Sequence, residues 1–223
     1  MLIGRIVKSN SHVDYVCHIY GAGEVPEPPS PEDYAFGRFV RIAVGREGQG
    51  DRQSTLDSPV LQNSPQTHIV GVIYNTQLVN PDYGAGGPRL SPERELEFFA
   101  PDYLNERAVL VGIVALGSWR LGPAGESVPD HGVPPVAPVV GAEVETMDAL
   151  EVARFHQRPN GPPGMPAVLC GYLPRLTALS SPVIPDLVQR ILADLEPYFS
   201  GQARVLALLQ NNLAWKTRVE GIR

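Results

Sequence analysis

The sequence predicts an α+β fold, with an antiparallel β-barrel at the N-terminus and a mainly helical region at the C-terminus. Short apolar segments separated by turn-forming residues occupy residues 1–146, whereas residues 147–223 show the 3.6-residue spacing of helices. Proline and glycine number 23 and 22 among 223 residues, so the chain turns often and its elements are short. We therefore predict a barrel domain, 1–146, followed by a helical region, 147–223.

Six strand-like segments support the barrel. In the second segment, Val13, Tyr15, Cys17 and Ile19 alternate with more polar residues, which is typical of a half-buried strand that pairs with the first segment as a hairpin. Closure into a barrel removes the edges that such Val- and Ile-rich strands would otherwise expose. The segments are Leu2–Lys8, His12–Tyr20, Phe36–Val44, His68–Thr76 and Arg107–Leu116, with one further strand near Val139–Glu145.

The segments between these strands have the composition of loops. Residues 21–33 are rich in Pro and Glu and exclude a central strand, and residues 45–66 and 117–132 are predicted as loops. Ser91 and Pro92 predict the start of a capped helix. The prolines of residues 133–140 favour an extended strap that crosses the barrel, and Gly71 predicts a bulge or a close backbone approach.

Helical signals follow from residue 147. Asp148 is a candidate N-cap for a short helix that ends at His156, and residues 157–166 form the clearest break in the chain. Residues 168–179 are apolar, and their pattern fits a strand or a helix. Residues 184–199, where Pro185 marks the first turn, and residues 204–215 predict two helices. These helices have more apolar surface than they can bury on each other. Their apolar faces must pack on the barrel, on another copy of the chain or on another protein.

The charge distribution disfavours a nucleic-acid binder. The net charge is -6, and residues 1–146 carry 18 acidic and 10 basic residues against 6 and 8 in residues 147–223. Residues 201–223 form a basic segment, because Arg204, Lys216, Arg218 and Arg223 outnumber Glu220. Cys17 and Cys170 are too far apart for a disulfide framework, and the sequence begins without a leader pattern, so we expect a cytoplasmic protein without a membrane span.

Motifs for nucleotide and nucleophilic chemistry are missing. A phosphate-binding loop requires GxxxxGK[ST], but Lys216-Thr217 follows a segment without glycine, and Gly84–Gly87 leads into proline rather than a helix. Ser118 lacks the second glycine of a nucleophile elbow. The sequence therefore predicts no cofactor, no nucleotide hydrolysis and no catalytic residues.

A metal site is not predicted either. Cys17 and His18 are adjacent, with His12 nearby, but adjacent residues of a strand point to opposite faces. His68, His131 and His156 are isolated in the sequence. Glu143 and Glu145 would share one face of a strand, and Glu95 and Glu97 form a second acidic pair, yet a solvated face explains both pairs.

Short motifs of the predicted barrel carry a resemblance to a known family. The opening Leu2–Val7, the strand Arg38–Ile42, the strand Ile69–Ile73 and the later Pro138–Val144 resemble the HAS barrel that opens HerA-type DNA translocases. That barrel is similar to the N-terminal barrel of rotary ATP synthase subunits. In the family it serves docking and assembly, and a translocase domain with a Walker A loop follows it. The present chain lacks that loop, and its remaining 75 or so residues are too few for a motor.

Three functions are compatible with these observations. The resemblance implies a non-catalytic accessory barrel that acts with a HerA-like ATPase and a NurA-like nuclease in DNA-end processing, through protein contacts or self-association. A hydrolase or metal-dependent nuclease that uses scattered carboxylates is the second. The third is an OB-like barrel whose aromatic residues stack nucleic-acid bases, with Tyr15, Tyr20, Phe39 and Tyr74 as candidates, although the acidic barrel opposes it.

Overall fold

The computed structural model describes residues 1–44, 66–79, 108–121, 127–158 and 167–220. The strands are β1 (Leu2–Ser11), β2 (Asp14–Ile19), β3 (Phe39–Ala43), β4 (Gln66–Val79), β5 (Ala108–Leu121), β6 (Ser127–Asp130) and β7 (Glu143–Thr146). Six of these antiparallel strands form a closed ring in the order β2-β1-β7-β3-β4-β5, and the ring closes where β2 pairs with β5. The predicted N-terminal barrel is thereby confirmed, with its strands where the sequence placed them.

The first hairpin is confirmed, but its turn is tighter than expected. β1 continues to Ser11, through the residues that separate the predicted segments Leu2–Lys8 and His12–Tyr20. Irregularities in the β1–β2 register lie between Ile6 and Lys8 and between Ser9 and Ser11. The second half of β1, Val7–Ser11, is exposed on both faces, so no apolar alternation marks it as a strand.

The region predicted as a loop after residue 116 contains strand structure, which corrects that expectation. β5 runs on to Leu121, and β6 pairs with its last residues, Ser118 to Leu121. The β4–β5 register shifts between Val70 and Gly71. β5 residues after the shift therefore face the side of the sheet opposite to the one that their alternation along the strand would give. After the shift, Trp119 is buried outside the barrel while Ser118 faces its opening, so the apolar pattern is broken.

Gly71 lies at this irregularity, as predicted from its place within an apolar strand. A side chain there would meet the Ile113 Cγ2 atom at 2.6 Å and the Val114 carbonyl oxygen at 3.0 Å. The two strands approach too closely at this point for any residue with a Cβ atom. Glycine therefore permits the bulge that turns β5 towards the helices.

The helical region consists of four α-helices and short 3-10 turns within the described residues. Asp148 caps the first helix through the Glu151 backbone N–H, and the Glu151 side chain accepts the Asp148 N–H in return. Pro185 lies in the first turn of the third helix, as predicted. The helices are α1 (Ala149–Phe155), α2 (Leu173–Thr177), α3 (Ile184–Leu195) and α4 (Ala203–Glu220), and a 3-10 helix spans Pro31–Tyr34 before β3.

The helices pack on the outside of the barrel. Leu187, Ile191 and Leu192 of α3 are fully buried in one cluster with Val70 and Leu116 of the strands. Of the three alternatives that the sequence left open for the helical faces, the structure shows packing on the barrel. Helix α4 contributes the buried Leu206 to this cluster but leaves Val205 and Leu208 exposed, at 47% and 62% of their surface.

Some sequence predictions lie outside the described residues. These are the helix at Ser91, the acidic pair Glu95 and Glu97, the glycine-rich segment Gly84–Gly87 and most of the loop after Val44. Among the helices that the structure describes, none combines the length and apolar character needed to cross a bilayer. The boundary between the predicted domains at residue 146 stays a prediction.

Candidate functional site

A buried polar network lies in the seam between the barrel and the helices. The His131 ring stacks on the Phe155 ring with centroids 4.4 Å apart, and the centroids of the His131 and His156 rings lie 5.6 Å apart. The Tyr172 hydroxyl lies 2.8 Å from His156 Nε2, and the Cys170 side chain packs against the same cluster. The fold thus brings together two histidines that are isolated in the sequence.

The hydrogen bonds fix the tautomer of each ring. His131 donates from Nε2 to the Phe155 carbonyl at 3.0 Å and accepts the Gly171 N–H at Nδ1. His156 donates from Nδ1 to the Val152 carbonyl at 2.7 Å and accepts the Tyr172 hydroxyl proton at Nε2. A backbone N–H only donates, so His131 Nδ1 carries a lone pair and that imidazole is neutral. The Val152 carbonyl only accepts, which places a proton on Nδ1 of His156.

Burial shifts the pKa of each of these side chains further from pH 7. Desolvation lowers the pKa of His156 to about 3 and also lowers that of His131. It raises the pKa of Cys170 to about 11 and that of Tyr172 well above its usual value. General acid–base catalysis needs a pKa near the working pH, and a thiol nucleophile needs a thiolate. The arrangement fits a neutral, structural network that braces the seam.

Arg175 of α2 ties the helical region to the barrel. Its Nη2 donates to the Ala115 and Leu116 carbonyls at 3.2 and 2.9 Å, and its Nη1 reaches the His131 carbonyl at 3.4 Å. The β4–β5 irregularity adjoins Ala115, and the guanidinium satisfies carbonyls there that the ladder leaves available. Burial lowers the pKa of Arg175, yet the group remains a charged donor.

A groove of about 380 Å³ opens above this network, and we call it the seam groove. Its floor contains Phe39, Met147 and Val152, all buried. The Phe39 ring meets His156 edge-on at 5.3 Å, so the polar network supports the floor from below. The remaining lining residues are Glu32, Ala35, Phe36, Gly37, Arg38, Ala149, Arg190, Ala193, Asp194, Pro197 and Tyr198.

Two exposed aromatic residues flank the seam groove. Phe36 occupies the second position of a turn that the Arg38 N–H closes on the Ala35 carbonyl, and Gly37 takes the third position with φ of +84°. Only glycine adopts that φ without strain, so the turn presents Phe36 to solvent at 40% exposure. Tyr198 lies across the groove in the 3-10 helix after α3 and is 41% exposed.

The rim of the seam groove is charged. The Arg190 stem lies against Gly37, where a Cβ atom would meet Arg190 Cγ at 2.6 Å, and its Nε donates to Asp194 at 3.2 Å. Exposed aromatic residues with Met and Arg beside them are enriched in protein–protein interfaces, and they anchor binding where they fill pockets. The groove has the composition of a protein-docking surface.

A family model described as a domain of unknown function (DUF8166) matches residues 1–223. The chain belongs to the DUF8166 family. The match spans both the barrel and the helices, so the seam lies within the family unit. No curated protein matches the sequence.

In the DUF8166 chain, the acidic pair of β7 is partly engaged. Glu143 is exposed, as expected, and Glu145 lies on the same strand face. Arg41 forms an ion pair with Glu145 at 2.6 Å and a second one with Glu151. The Arg41 guanidinium therefore lies where a metal ion between Glu145 and Glu151 would have to bind. Among the described residues, no cluster of three metal-binding side chains occurs.

The remaining candidate ligands of the DUF8166 chain are separated. Cys17 is buried in the barrel while the adjacent His18 lies outside it, 4.0 Å from Glu24, which confirms the predicted opposite faces. His12 contacts the Pro134 carbonyl through Nε2 at 2.7 Å. His68 packs outside β4, where desolvation lowers its pKa. Ser118 is 6% exposed and lines a cavity at the barrel opening.

The aromatic residues suggested for base stacking are mostly part of the packing. Tyr15 fills the barrel, and Phe39 belongs to the seam. Tyr74 packs beside the same cluster and donates to Asp14 at 3.0 Å, while Tyr20 is only partly buried. Stacking of bases would need exposed ring faces.

Sequence reasoning missed the polar network and the seam groove. His131 follows β6, His156 ends α1 and Tyr172 is the N-cap of α2, with no spacing motif that joins them. Of the groove, only the turn at Gly37 carries a local signal, since a glycine before a strand is typical of a positive φ.

Proposed function

We propose that this protein is a non-catalytic β-barrel accessory or assembly protein that acts with a HerA-like ATPase and a NurA-like nuclease in DNA-end processing in the cytoplasm. The observation that carries the proposal is the closed six-stranded barrel. Three of its strands, β1, β3 and β4, contain motifs that resemble the HAS barrel, and the fourth motif leads into β7. A barrel of that family is an assembly element, so protein contacts are the expected activity.

The seam groove supports the proposal, because it supplies a contact surface. Phe36 and Tyr198 present large ring areas to solvent, and Met147 beneath them adapts to an incoming side chain. Arg38 and Arg190 at the rim can form charge-assisted hydrogen bonds with a partner. The titratable groups beneath the floor are held neutral, which suits recognition rather than catalysis.

The test is co-expression with a HerA-type ATPase and a NurA-type nuclease from the same genome, followed by affinity capture and size-exclusion chromatography. We expect a complex with at least one of them. The double variant Phe36→Asp, Tyr198→Asp should lose it while remaining folded, because both side chains are exposed. Leu150→Asp is the matched control, since Leu150 is 57% exposed and lies on α1 outside the groove lining.

Absence of a complex with either protein would refute the proposed function. A complex that survives the groove variant but is lost in Leu208→Asp would leave the function standing and move the contact to α4. Leu208 is 62% exposed and follows the basic Arg204 on that helix, so it is the natural alternative surface.

A further inference from the structure

The open end of the barrel contains a second cavity of about 380 Å³, separate from the seam groove, and we call it the mouth cavity. Its inner wall is Ile69, which belongs to the barrel core, and Val44 and Val136 add further apolar surface. The mouths of β-barrels are frequent ligand sites, and this volume lies within the range of small-molecule pockets. The other lining residues are Thr67, Ser118, Arg120, Asp130, Pro134 and Pro135.

Strand pairing places the polar residues of the mouth cavity around one opening. Ser118 of β5 lies opposite Ile69 of β4 on one side and opposite Asp130 of β6 on the other. Two residues further along each strand, Thr67 lies opposite Arg120. β6 continues along the same edge of β5 that β2 uses deeper in the barrel, so it extends the wall beyond the ring.

A further wall of the mouth cavity is the proline-rich strap, from which Pro134, Pro135 and Val136 line the cavity. Pro134 is buried, and His12 Nε2 holds its carbonyl at 2.7 Å. At its other end the strap is tied to β1, where the Gly141 N–H donates to the Ile6 carbonyl at 2.7 Å. A wall held at both ends keeps the cavity preformed, which lowers the entropic cost of binding.

Opposite charges share the mouth cavity without neutralising each other. Arg120 and Asp130 both line it, yet no ion pair within 4.0 Å joins them among the described residues. Asp130 uses Oδ1 to accept the Gly132 N–H at 2.8 Å, and Oδ2 has no hydrogen-bond donor within the described part of the chain. Both side chains are exposed at the opening, where a ligand from solvent can reach them.

We propose that the mouth cavity binds a small zwitterion with an apolar body, and that the chemical class is an apolar α-amino acid. The ligand carboxylate pairs with the Arg120 guanidinium, whose planar fork matches a carboxylate. The ligand ammonium group pairs with Asp130, and the Ser118 and Thr67 hydroxyls complete the polar contacts. The apolar side chain enters towards Ile69, Val44 and Val136.

Isothermal titration calorimetry on the full chain tests this proposal with free L-leucine, L-isoleucine and L-phenylalanine as probes. We expect saturable binding of at least one of them with a Kd below about 1 mM. The matching N-acetyl amino acid lacks the ammonium charge and the matching amide lacks the carboxylate. Each should bind at least about tenfold more weakly, because one charged hydrogen bond is lost.

Variants locate the site. Arg120→Gln and Asp130→Asn should each weaken the amino acid at least about tenfold, and circular dichroism should be unchanged because both residues are exposed. Arg204→Gln is the matched control, an exposed arginine on α4 away from the cavity. The proposal is overturned if none of the three probes binds, if Arg120→Gln binds as tightly as the natural chain, or if the N-acetyl derivative binds as tightly as the free amino acid.

Discussion

The interior of the barrel and the seam outside it are packed with different kinds of residues. The barrel interior contains mostly Ile and Val, with Tyr15 and Cys17 as its polar exceptions. The seam also contains Val and Ile, but it adds Leu, Phe, Tyr and Trp together with His131 and His156. One core is built by strands of a single ring, and the other joins that ring to helices that come later in the chain.

This difference shows which part of the structure is specified locally. β-Branched residues pack well on a pleated surface, and the ring fixes their positions through backbone hydrogen bonds on both edges of each strand. The seam has no such ladder between its layers. Its geometry depends instead on side-chain hydrogen bonds, those of Arg175 to β5 and of Tyr172 to His156.

The largest effect should come from matched truncations in the two cores. Ile113→Ala in the barrel and Ile191→Ala in the seam remove the same atoms from residues that are both fully buried. Each should lower the free energy of unfolding by about 2–5 kcal/mol. We expect the barrel variant to lose more, because a closed ring collapses around a cavity less readily than a helix can shift. Urea unfolding at pH 7 measures both.

An equal or larger loss in Ile191→Ala would contradict the view that ring closure makes the barrel the more rigid core. Leu208→Ala is the control, since its side chain is 62% exposed and its truncation should change stability by less than about 0.5 kcal/mol.

The second prediction concerns acid sensitivity, which should reside in the seam. His156 has its pKa lowered to about 3 by burial, against 6.5 for a free imidazole. Between these values the unfolded chain binds a proton that the folded chain rejects, so stability falls as the pH falls. The contribution is about 1.4 kcal/mol per pH unit. His131 adds to it in the same direction, because burial lowers its pKa as well.

Replacement of His156 by Gln should flatten this dependence. Unfolding free energies measured from pH 7 to pH 4 should show a smaller slope in His156→Gln than in the natural chain. Leu208→Gln serves as the control, because its side chain is 62% exposed and neither residue titrates. A slope unaffected in His156→Gln would show that carboxylates, rather than the seam, govern acid unfolding.

The same contrast explains what could be predicted from the sequence. The alternation of Tyr15, Cys17 and Ile19, and the apolar runs of β4 and β5, were sufficient to predict a closed barrel and its strand positions. Asp148 and Pro185 predicted two helix starts, because caps act over three or four residues. These signals are local, and local signals are what a single sequence carries.

The seam could not be predicted in this way. The Tyr172–His156 contact joins residues 16 apart, and Arg175 contacts carbonyls 59 and 60 residues away. β6 was missed because the irregularity beside Gly71 changes the side of the sheet that Ser118 and Trp119 face. Such features arise only once the chain has folded, so no spacing in the sequence reveals them.

The third prediction concerns the turn that shapes the seam groove. Gly37→Ala places a Cβ atom at φ of +84°, and that atom would meet Arg190 Cγ at 2.6 Å. We expect a loss of about 1–2 kcal/mol in unfolding free energy. Arg190→Ala in the same chain should recover the part due to the contact but not the part due to the backbone. No recovery at all in the double variant would assign the whole cost to the backbone.

The smallest effect should come from the ion pair outside β3 and β7. Arg41 contacts both Glu145 and Glu151, and these side chains are partly exposed at 26%, 37% and 20%. A double-mutant cycle with Arg41→Met and Glu145→Gln should give a coupling energy of about 0.5–1 kcal/mol. This coupling energy should decrease when the salt concentration is raised from about 0.05 M to about 0.5 M, because salt screens exposed charges.

The same cycle bears on the alternative of a metal-dependent enzyme. If Arg41 merely neutralises the acidic side chains, Arg41→Met leaves Glu145 and Glu151 repelling each other, and the variant should be less stable than Glu145→Gln. Added Mg²⁺ or Mn²⁺ should not restore the lost stability, because the described residues offer no third ligand beside these two carboxylates. Recovery of stability in Arg41→Met on addition of metal, measured by thermal unfolding, would show that Glu145 and Glu151 can form a cation site. Nuclease assays on the natural chain would then be the decisive experiment.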